Sequence, residues 1–115
     1  MPAYVIAQLR HVDQNAEIVE YLNRIDATLA PYGGRFRVHG VQPEVFDGEL
    51  PGTIVLIEFP DVERVRGWYA SPEYQAILPL RTRNSEGGVA LLAGVPEGYQ
   101  AASYAAKLAR GDSAG

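Results

Sequence analysis

Few side-chain types in this sequence can carry out chemistry. The chain has 115 residues, among them no cysteine, one lysine (Lys107) and two histidines, His11 and His39. The absence of cysteine excludes disulfides, thiolate nucleophiles and sulfur-ligated zinc. One lysine in a segment rich in small residues argues against Schiff-base chemistry, and two histidines far apart in sequence argue against a metal site. Arginine, glutamate, histidine and tyrosine are therefore the candidate chemical groups.

Arg35 and Glu58 form the first candidate pair. They fall in two predicted strands, and the alternation of side chains places them on the same face of a sheet. The arginine could hold a carboxylate or enolate with two hydrogen bonds, and a buried glutamate could accept a proton. The alternative is a structural ion pair, because an unpaired buried charge is costly. His39 shares the predicted face and is either an acid or base near neutral pH or a structural histidine at the strand end.

A second candidate set is mainly aromatic. Trp68, Tyr69 and Tyr74 flank Ser71-Pro72, where a helix is predicted to bend. These rings could wall a pocket for an aromatic substrate, and the alternative is packing in the core or in a dimer contact. Arg81 follows them and either reaches a ligand or partner subunit or is a solvated loop charge. We include all four residues as candidate substrate-binding residues.

The elements that must position these residues follow from the spacing of apolar side chains. Strands are predicted over residues 3–9, 35–39, 53–59 and 89–93, and helices are predicted to start at Asp13, Asp61 and Ser71. In the first helix the period predicts an apolar side formed by Ile18, Leu22, Ile25 and Leu29. Residues 79–86 are predicted to form a polar loop.

The order strand, helix, strand, strand, helix, strand predicts a ferredoxin-like βαββαβ α+β sandwich. Such a fold has a four-stranded antiparallel sheet with its helices on one face. An Ala-rich helix is predicted from Tyr99 to Arg110. We therefore expect one domain over residues 1–95 and a helical extension with a frayed end over residues 96–115.

The two faces of the predicted sheet differ in composition. The face toward the helices, the helix face, is expected to carry Val5, Ala7, Leu9, Phe36, Val38, Val55, Ile57, Phe59, Val89 and Leu91. The other side, the open face, is expected to carry Tyr4, Ile6, Gln8, Arg10, Arg35, Arg37, His39, Ile54, Leu56, Glu58, Ala90 and Leu92. The centre of the open face is too apolar to lie in water. It therefore predicts a C2 homodimer packed sheet to sheet around an inner cavity, with Tyr4 as a further substrate-binding candidate.

Four stretches resemble the family known as domain of unknown function 1330. They are Met1-Pro2-Ala3-Tyr4, Tyr32-Gly33-Gly34-Arg35, Ile57-Glu58-Phe59-Pro60, and residues 68–75 followed by Leu80-Arg81. The resemblance covers approximately residues 1–94 and implies membership of the dimeric α+β barrel superfamily. That superfamily includes small-molecule oxygenases, isomerases, dehydratases and ligand-binding regulators, so the resemblance implies the fold more than the function.

Charge and hydropathy restrict the partners. The formal net charge is -4 without a basic stripe, which gives no support for nucleic-acid binding. No apolar run approaches the length of a membrane span and no signal peptide is visible, so we expect a cytoplasmic protein.

We expect a homodimer whose inner cavity binds a small anionic or aromatic metabolite without a cofactor or metal. An enzyme of this kind would catalyse isomerisation, cyclisation or dehydration with Arg35, Glu58 and His39 as catalytic residues. The alternatives are a non-catalytic ligand-binding or accessory protein and a cofactor-free oxygenase.

Overall fold

The predicted element order is present in the structure, a computed structural model that describes residues 1–111. Strands β1 (Ala3–Val12), β2 (Arg35–Val41), β3 (Thr53–Phe59) and β4 (Ser85–Ala93) form one antiparallel sheet in the order β2-β3-β1-β4. The helices are α1 (Ala16–Leu29), α2 (Val62–Ala70), α3 (Pro72–Thr82) and α4 (Ala101–Ala109), and a 3-10 turn (Ala30–Tyr32) follows α1. The predicted ferredoxin-like α+β class is confirmed. Residues 112–115 of the expected extension lie outside the described part.

Helices α1, α2 and α3 begin at short polar side chains. Asp61 and Ser71 cap α2 and α3 as predicted, each accepting a backbone N–H from three residues on. The predicted cap of α1 at Asp13 is wrong, because Asn15 is the residue whose Oδ1 accepts the N–H of Ile18, at 3.1 Å. The Asp13 carboxylate instead lies 2.7 Å from His11 Nε2.

The prediction of a loop over residues 79–86 is also wrong, because α3 continues through Pro79 to Thr82 and β4 already begins at Ser85. A proline inside a helix removes one backbone hydrogen bond. Here Leu78 and Leu80, on either side of the proline, pack against the core. The Asn84 side chain then donates to the Leu80 carbonyl at 2.7 Å and closes the helix end. Burial of the apolar side chains offsets the missing bond.

The core lies between the helix face of the sheet and α1, α2 and α3. Its members include Val5 and Ile57 from the strands and Trp68 and Ile77 from the helices. The apolar side of α1 is rotated from the predicted one: Leu22 is 42% exposed, and Tyr21 is buried in its place.

The alternation of side chains between the two faces of the sheet is interrupted midway along strand β2. Phe36 lies opposite Ile57, but two residues later Val38 lies opposite Leu56, so two β2 residues oppose one residue of β3. Such a bulge reverses the alternation of side chains beyond it. Two placements predicted from strict alternation are therefore wrong: Val38 lies on the open face, and the His39 ring stacks on Phe36, with 4.6 Å between ring centroids.

Candidate functional site

The predicted pair Arg35 and Glu58 is present on the open face. Glu58 Oε2 lies 3.9 Å from an Arg35 nitrogen, and Glu58 Oε1 lies 3.0 Å from Nε of Arg37. The side chain of Glu58 is 26% exposed and that of Arg35 is 65% exposed in the single chain. Tyr4 is the β1 residue directly opposite Glu58. The group is an ion-pair cluster at one end of the open face.

A cavity of about 800 Å³ lies on the other side of the sheet, between the helix face, α1 and the α2–α3 pair. Its volume falls within the range of small-molecule sites, about 300–1,000 Å³. Its wall is mainly apolar and includes Val5, Ala7, Leu9, Ile18, Tyr21, Ile25, Phe36, His39, Val55, Ile57, Trp68, Tyr74, Arg81 and Val89. The inner cavity that the sequence predicted was on the open face, whereas this cavity lies within one chain on the helix face.

Three polar side chains meet in this apolar wall. The hydroxyls of Tyr21 and Tyr74 form a buried hydrogen bond of 2.7 Å. The guanidinium of Arg81 interacts with both phenol oxygens. Arg81 Nε is buried and has no hydrogen-bond partner, and no carboxylate of residues 1–111 forms an ion pair with this guanidinium.

The electrostatics of this cluster favour an anion. Burial, followed by the neighbouring Tyr74, raises the pKa of Tyr21 well above its ordinary value, so its hydroxyl is neutral at physiological pH. Burial acts to lower the pKa of Arg81, but the two phenol groups outweigh it and the pKa is raised. Arg81 therefore keeps its charge in an apolar wall without a counter-ion, a costly arrangement that an anionic ligand would relieve.

The break between α2 and α3 positions the aromatic part of the wall. Ser71 ends α2 and begins α3: its hydroxyl donates to the Trp68 carbonyl at 2.7 Å and accepts the N–H of Tyr74 at 3.2 Å. The rings of Trp68 and Tyr74 consequently lie 4.1 Å apart. Trp68 Nε1 donates to the Thr28 hydroxyl at 3.0 Å, which ties the indole to α1.

The predicted site residues divide between the two faces of the sheet. Trp68, Tyr74, Arg81 and His39 line the cavity, and Arg81 belongs to α3 and not to a loop. Tyr69 is 40% exposed and packs its ring against Tyr74, with centroids 5.5 Å apart. Arg35, Glu58 and Tyr4 lie on the open face, so the structure does not bring them together with His39.

Tyr21 is a polar residue of the cavity wall that the sequence did not predict as part of the site. Ile18, Tyr21, Ile25 and Thr28 are spaced by three, four and three residues, which is the signal of one helix face. The predicted apolar side of α1 contained Leu22 and not Tyr21, because tyrosine is amphipathic and suits both buried and exposed positions. Among residues 1–111 no three metal-ligating side chains lie together.

The family profile described as Domain of unknown function (DUF1330) matches residues 2–95. The chain belongs to this family. The match to DUF1330 covers the sheet, α1, α2 and α3, and it ends before α4. No curated protein matches the sequence. Among residues 1–111 of this DUF1330 member, none of the helices has the length and hydropathy of a membrane span.

Solved structures of low sequence identity share the fold. The methylated RPA0582 protein, from Rhodopseudomonas palustris, is 16% identical with a TM-score of 0.63, covering 85% of this chain and 84% of its own. SnoaB from Streptomyces nogalater, described as a cofactor-independent oxygenase, is 13% identical with a TM-score of 0.61, covering 86% and 98%. A dimeric ferredoxin-like protein of unknown function from Jannaschia sp. CCS1 is 15% identical with a TM-score of 0.58, covering 84% and 100%. These similarities show a common fold.

Proposed function

We propose that the protein binds a small organic anion with an apolar or aromatic body in the cavity between the helices and the sheet. The observation that carries this proposal is the Arg81 guanidinium, which lies in an apolar wall with an unpaired Nε and no carboxylate partner. A carboxylate or enolate would accept hydrogen bonds from Arg81 and replace the missing counter-charge. The partly exposed apolar side chains of the lining, among them Leu9, Phe36 and Val55, provide a surface for the body of the ligand.

The charge of Arg81 suits proton-transfer chemistry as well as binding. A cationic Arg81 next to the tyrosine hydroxyls would stabilise the negatively charged oxygen of an enolate more than the carbonyl oxygen of the neutral ketone. This difference lowers the activation barrier for removing the proton that converts the ketone to the enolate. His39 lines the other end of the cavity, where its exposed ring stacks on Phe36 on the edge strand β2, while α3 carries Arg81 against β4 at the opposite edge of the sheet. We assign His39 the role of acid or base and Arg81 the charge-stabilising role that the sequence suggested for Arg35.

Cofactor-independent oxygenation is the second candidate reaction. The neighbour SnoaB carries that description and has the same fold. The observation that favours it in this chain is the mainly apolar lining around Arg81, since apolar surroundings slow the protonation of a substrate enolate by water before it meets O₂. Oxygen uptake by the protein with a bound enolisable acid distinguishes this reaction from isomerisation, which consumes no oxygen.

We further propose that two copies pack through their open faces. Structural neighbours are described as dimeric, and the centre of the open face holds Ile6 opposite Leu56. In this assembly the Arg35–Glu58–Arg37 cluster is an ion-pair network at the interface.

Ligand binding can be tested by thermal denaturation with a panel of aromatic, hydroxy and keto acids, each paired with its uncharged amide. We expect at least one acid to raise the melting temperature while its amide does not. Arg81→Met should weaken the binding of that acid by about tenfold to a hundredfold, because it removes hydrogen bonds between charged groups. The matched control is Arg35→Met, which removes a guanidinium from the open face.

The outcomes separate the two faces of the sheet. Loss of binding in Arg81→Met with retention in Arg35→Met supports the helix-face cavity, and the reverse pattern would overturn it. Catalysis is then tested with His39→Gln, which should keep acid binding while losing deuterium exchange at the carbon next to the carbonyl. A parent protein that binds the acid but shows neither exchange nor oxygen uptake is a binding protein.

A further inference from the structure

Helix α4 has no place in the core of its own chain. None of its residues is buried, and no member of the hydrophobic core comes from it. The radius of gyration is 16.4 Å, whereas a compact chain of this length has about 13 Å. The difference shows that part of the chain extends away from the compact body.

The sequence of α4 contains large apolar side chains that a partner surface would cover. Its two largest apolar residues, Tyr104 and Leu108, are four residues apart and share one side of the helix with Ala101 and Ala105, whereas Ala102 and Ala106 lie on the other side. Tyr104 is 39% exposed and Leu108 is 49% exposed. An isolated helix shorter than about 12 residues is marginal in water, so a nine-residue α4 needs a surface to pack on.

We propose that α4 is an arm that packs on the second copy of the chain and tightens the dimer. This inference rests on the sheet-to-sheet dimer proposed above. The family match ends at residue 95, so the arm is an addition to the part of the chain that the family shares.

The route of the chain favours the second copy as the partner of α4. The tail leaves the sheet at Gly94, whose N–H donates to the Pro2 carbonyl at 2.8 Å, directly after the edge strand β4. Leu92, near the end of that strand, is on the open face and 45% exposed. Packed sheets lie about 10 Å apart, and the seven steps from Gly94 to Ala101 reach at most about 23 Å. A turn in this segment, closed by the Tyr99 N–H on the Pro96 carbonyl at 3.1 Å, occupies three of these steps, and the other four still reach about 13 Å. The segment is therefore long enough to cross the proposed interface.

The arm can be tested in the full chain with Tyr104→Gln/Leu108→Gln, because glutamine preserves helix propensity while removing both apolar contacts. The matched control is Ala102→Gln/Ala106→Gln, because these two residues lie on the side of α4 opposite Tyr104 and Leu108. Sedimentation equilibrium should show a dimer dissociation constant at least about tenfold weaker for the first variant and unchanged for the control.

Hydrogen exchange of the α4 amides supplies the second measurement. We expect protection at concentrations where the parent is dimeric and its loss on dilution to the monomer. Protection that does not change with dilution would mean that α4 packs on its own chain and would overturn the arm. A dimeric parent whose affinity is unaffected by Tyr104→Gln/Leu108→Gln would also overturn it, while leaving the sheet-to-sheet dimer intact. A parent that is monomeric at all concentrations would instead overturn the dimer itself.

Discussion

The guanidinium of Arg81 lies among tyrosine hydroxyls and apolar side chains, whereas that of Arg35 is largely exposed beside Glu58. An exposed ion pair is screened by water and contributes little to stability. A partly buried cation without a counter-ion interacts more strongly with an anion than an exposed one does, because less solvent screens the attraction. Surroundings, and not residue type, therefore make Arg81 the stronger candidate for ligand binding.

At the residue scale, the hydrogen bond from Trp68 to Thr28 gives a stability prediction. Thr28→Val keeps the side-chain shape but leaves the buried indole N–H without its acceptor, and we expect the free energy of unfolding to fall by about 1–3 kcal/mol. Urea denaturation measures this loss. Thr82→Val, at an exposed threonine near the end of α3, is the control and should stay close to the parent. Equal midpoints for both variants would show that the bond is unimportant.

At the scale of the elements, β1 and β4 can pair only because β4 contains glycine at one position. Gly87 has a φ of +149°, and a Cβ there would lie 2.1 Å from the carbonyl oxygen of Gln8. Gly87→Ala should therefore lower the free energy of unfolding by more than about 1 kcal/mol. The adjacent Gly88 is the matched control, because a Cβ at that position meets nothing within 4 Å. A lower melting temperature for Gly88→Ala than for Gly87→Ala would contradict this account of how β1 and β4 pair.

The beginning of α1 is tied to the end of α3 through Glu17. Its carboxylate accepts hydrogen bonds from Arg83 and from the Asn84 amide, the latter at 2.9 Å. The Arg83 bond first, and the Asn84 bond second, lower the pKa of Glu17 below its ordinary value. A carboxyl group with a lowered pKa stabilises the fold above the pKa of the unfolded chain, about 4.3, and this stability is lost as the pH falls through the folded-state pKa.

We therefore expect Glu17→Gln to lose less stability than the parent when the pH is lowered from 6 to 3. Urea midpoints measured at low salt across this range provide the test. Glu44→Gln, at an exposed position in the β2–β3 loop, is the control and should follow the parent. If the stability of Glu17→Gln and that of the parent fall equally with pH, the hydrogen bonds of Glu17 to Arg83 and Asn84 do not couple folding to protonation.

At the scale of the whole molecule, the proposed dimer places its interface on the open face. Leu56→Asp should yield a folded monomer, because the side chain lies on the open face and is only partly buried in the single chain. Sedimentation velocity and circular dichroism together distinguish dissociation from unfolding. Val19→Asp, on the exposed side of α1, places the same charge away from the interface and should remain dimeric. A dimeric Leu56→Asp would place the interface elsewhere.

Much of the fold could be predicted because local signals agreed with one another. The caps at Asp61 and Ser71 were identified because a short polar residue preceding an apolar period determines a helix start locally. The continuation of α3 past Pro79 was missed because the packing of Leu78 and Leu80, which offsets the lost hydrogen bond, is not local. Tyr21 was missed because both it and Leu22 fit the period of α1.

The amino-acid sequence by itself determined the element order, the two-faced sheet and the chemical groups available, since these depend on residue type and short-range spacing. Only the tertiary structure decided which groups meet. The bulge in β2 turns His39 to the helix face, and the extended α3 carries Arg81 to the hydroxyls of Tyr21 and Tyr74. A bulge depends on the register with a neighbouring strand, and a cavity depends on elements distant in sequence. Neither is encoded in local periodicity, so the candidate site emerged on the side of the sheet opposite to the predicted one.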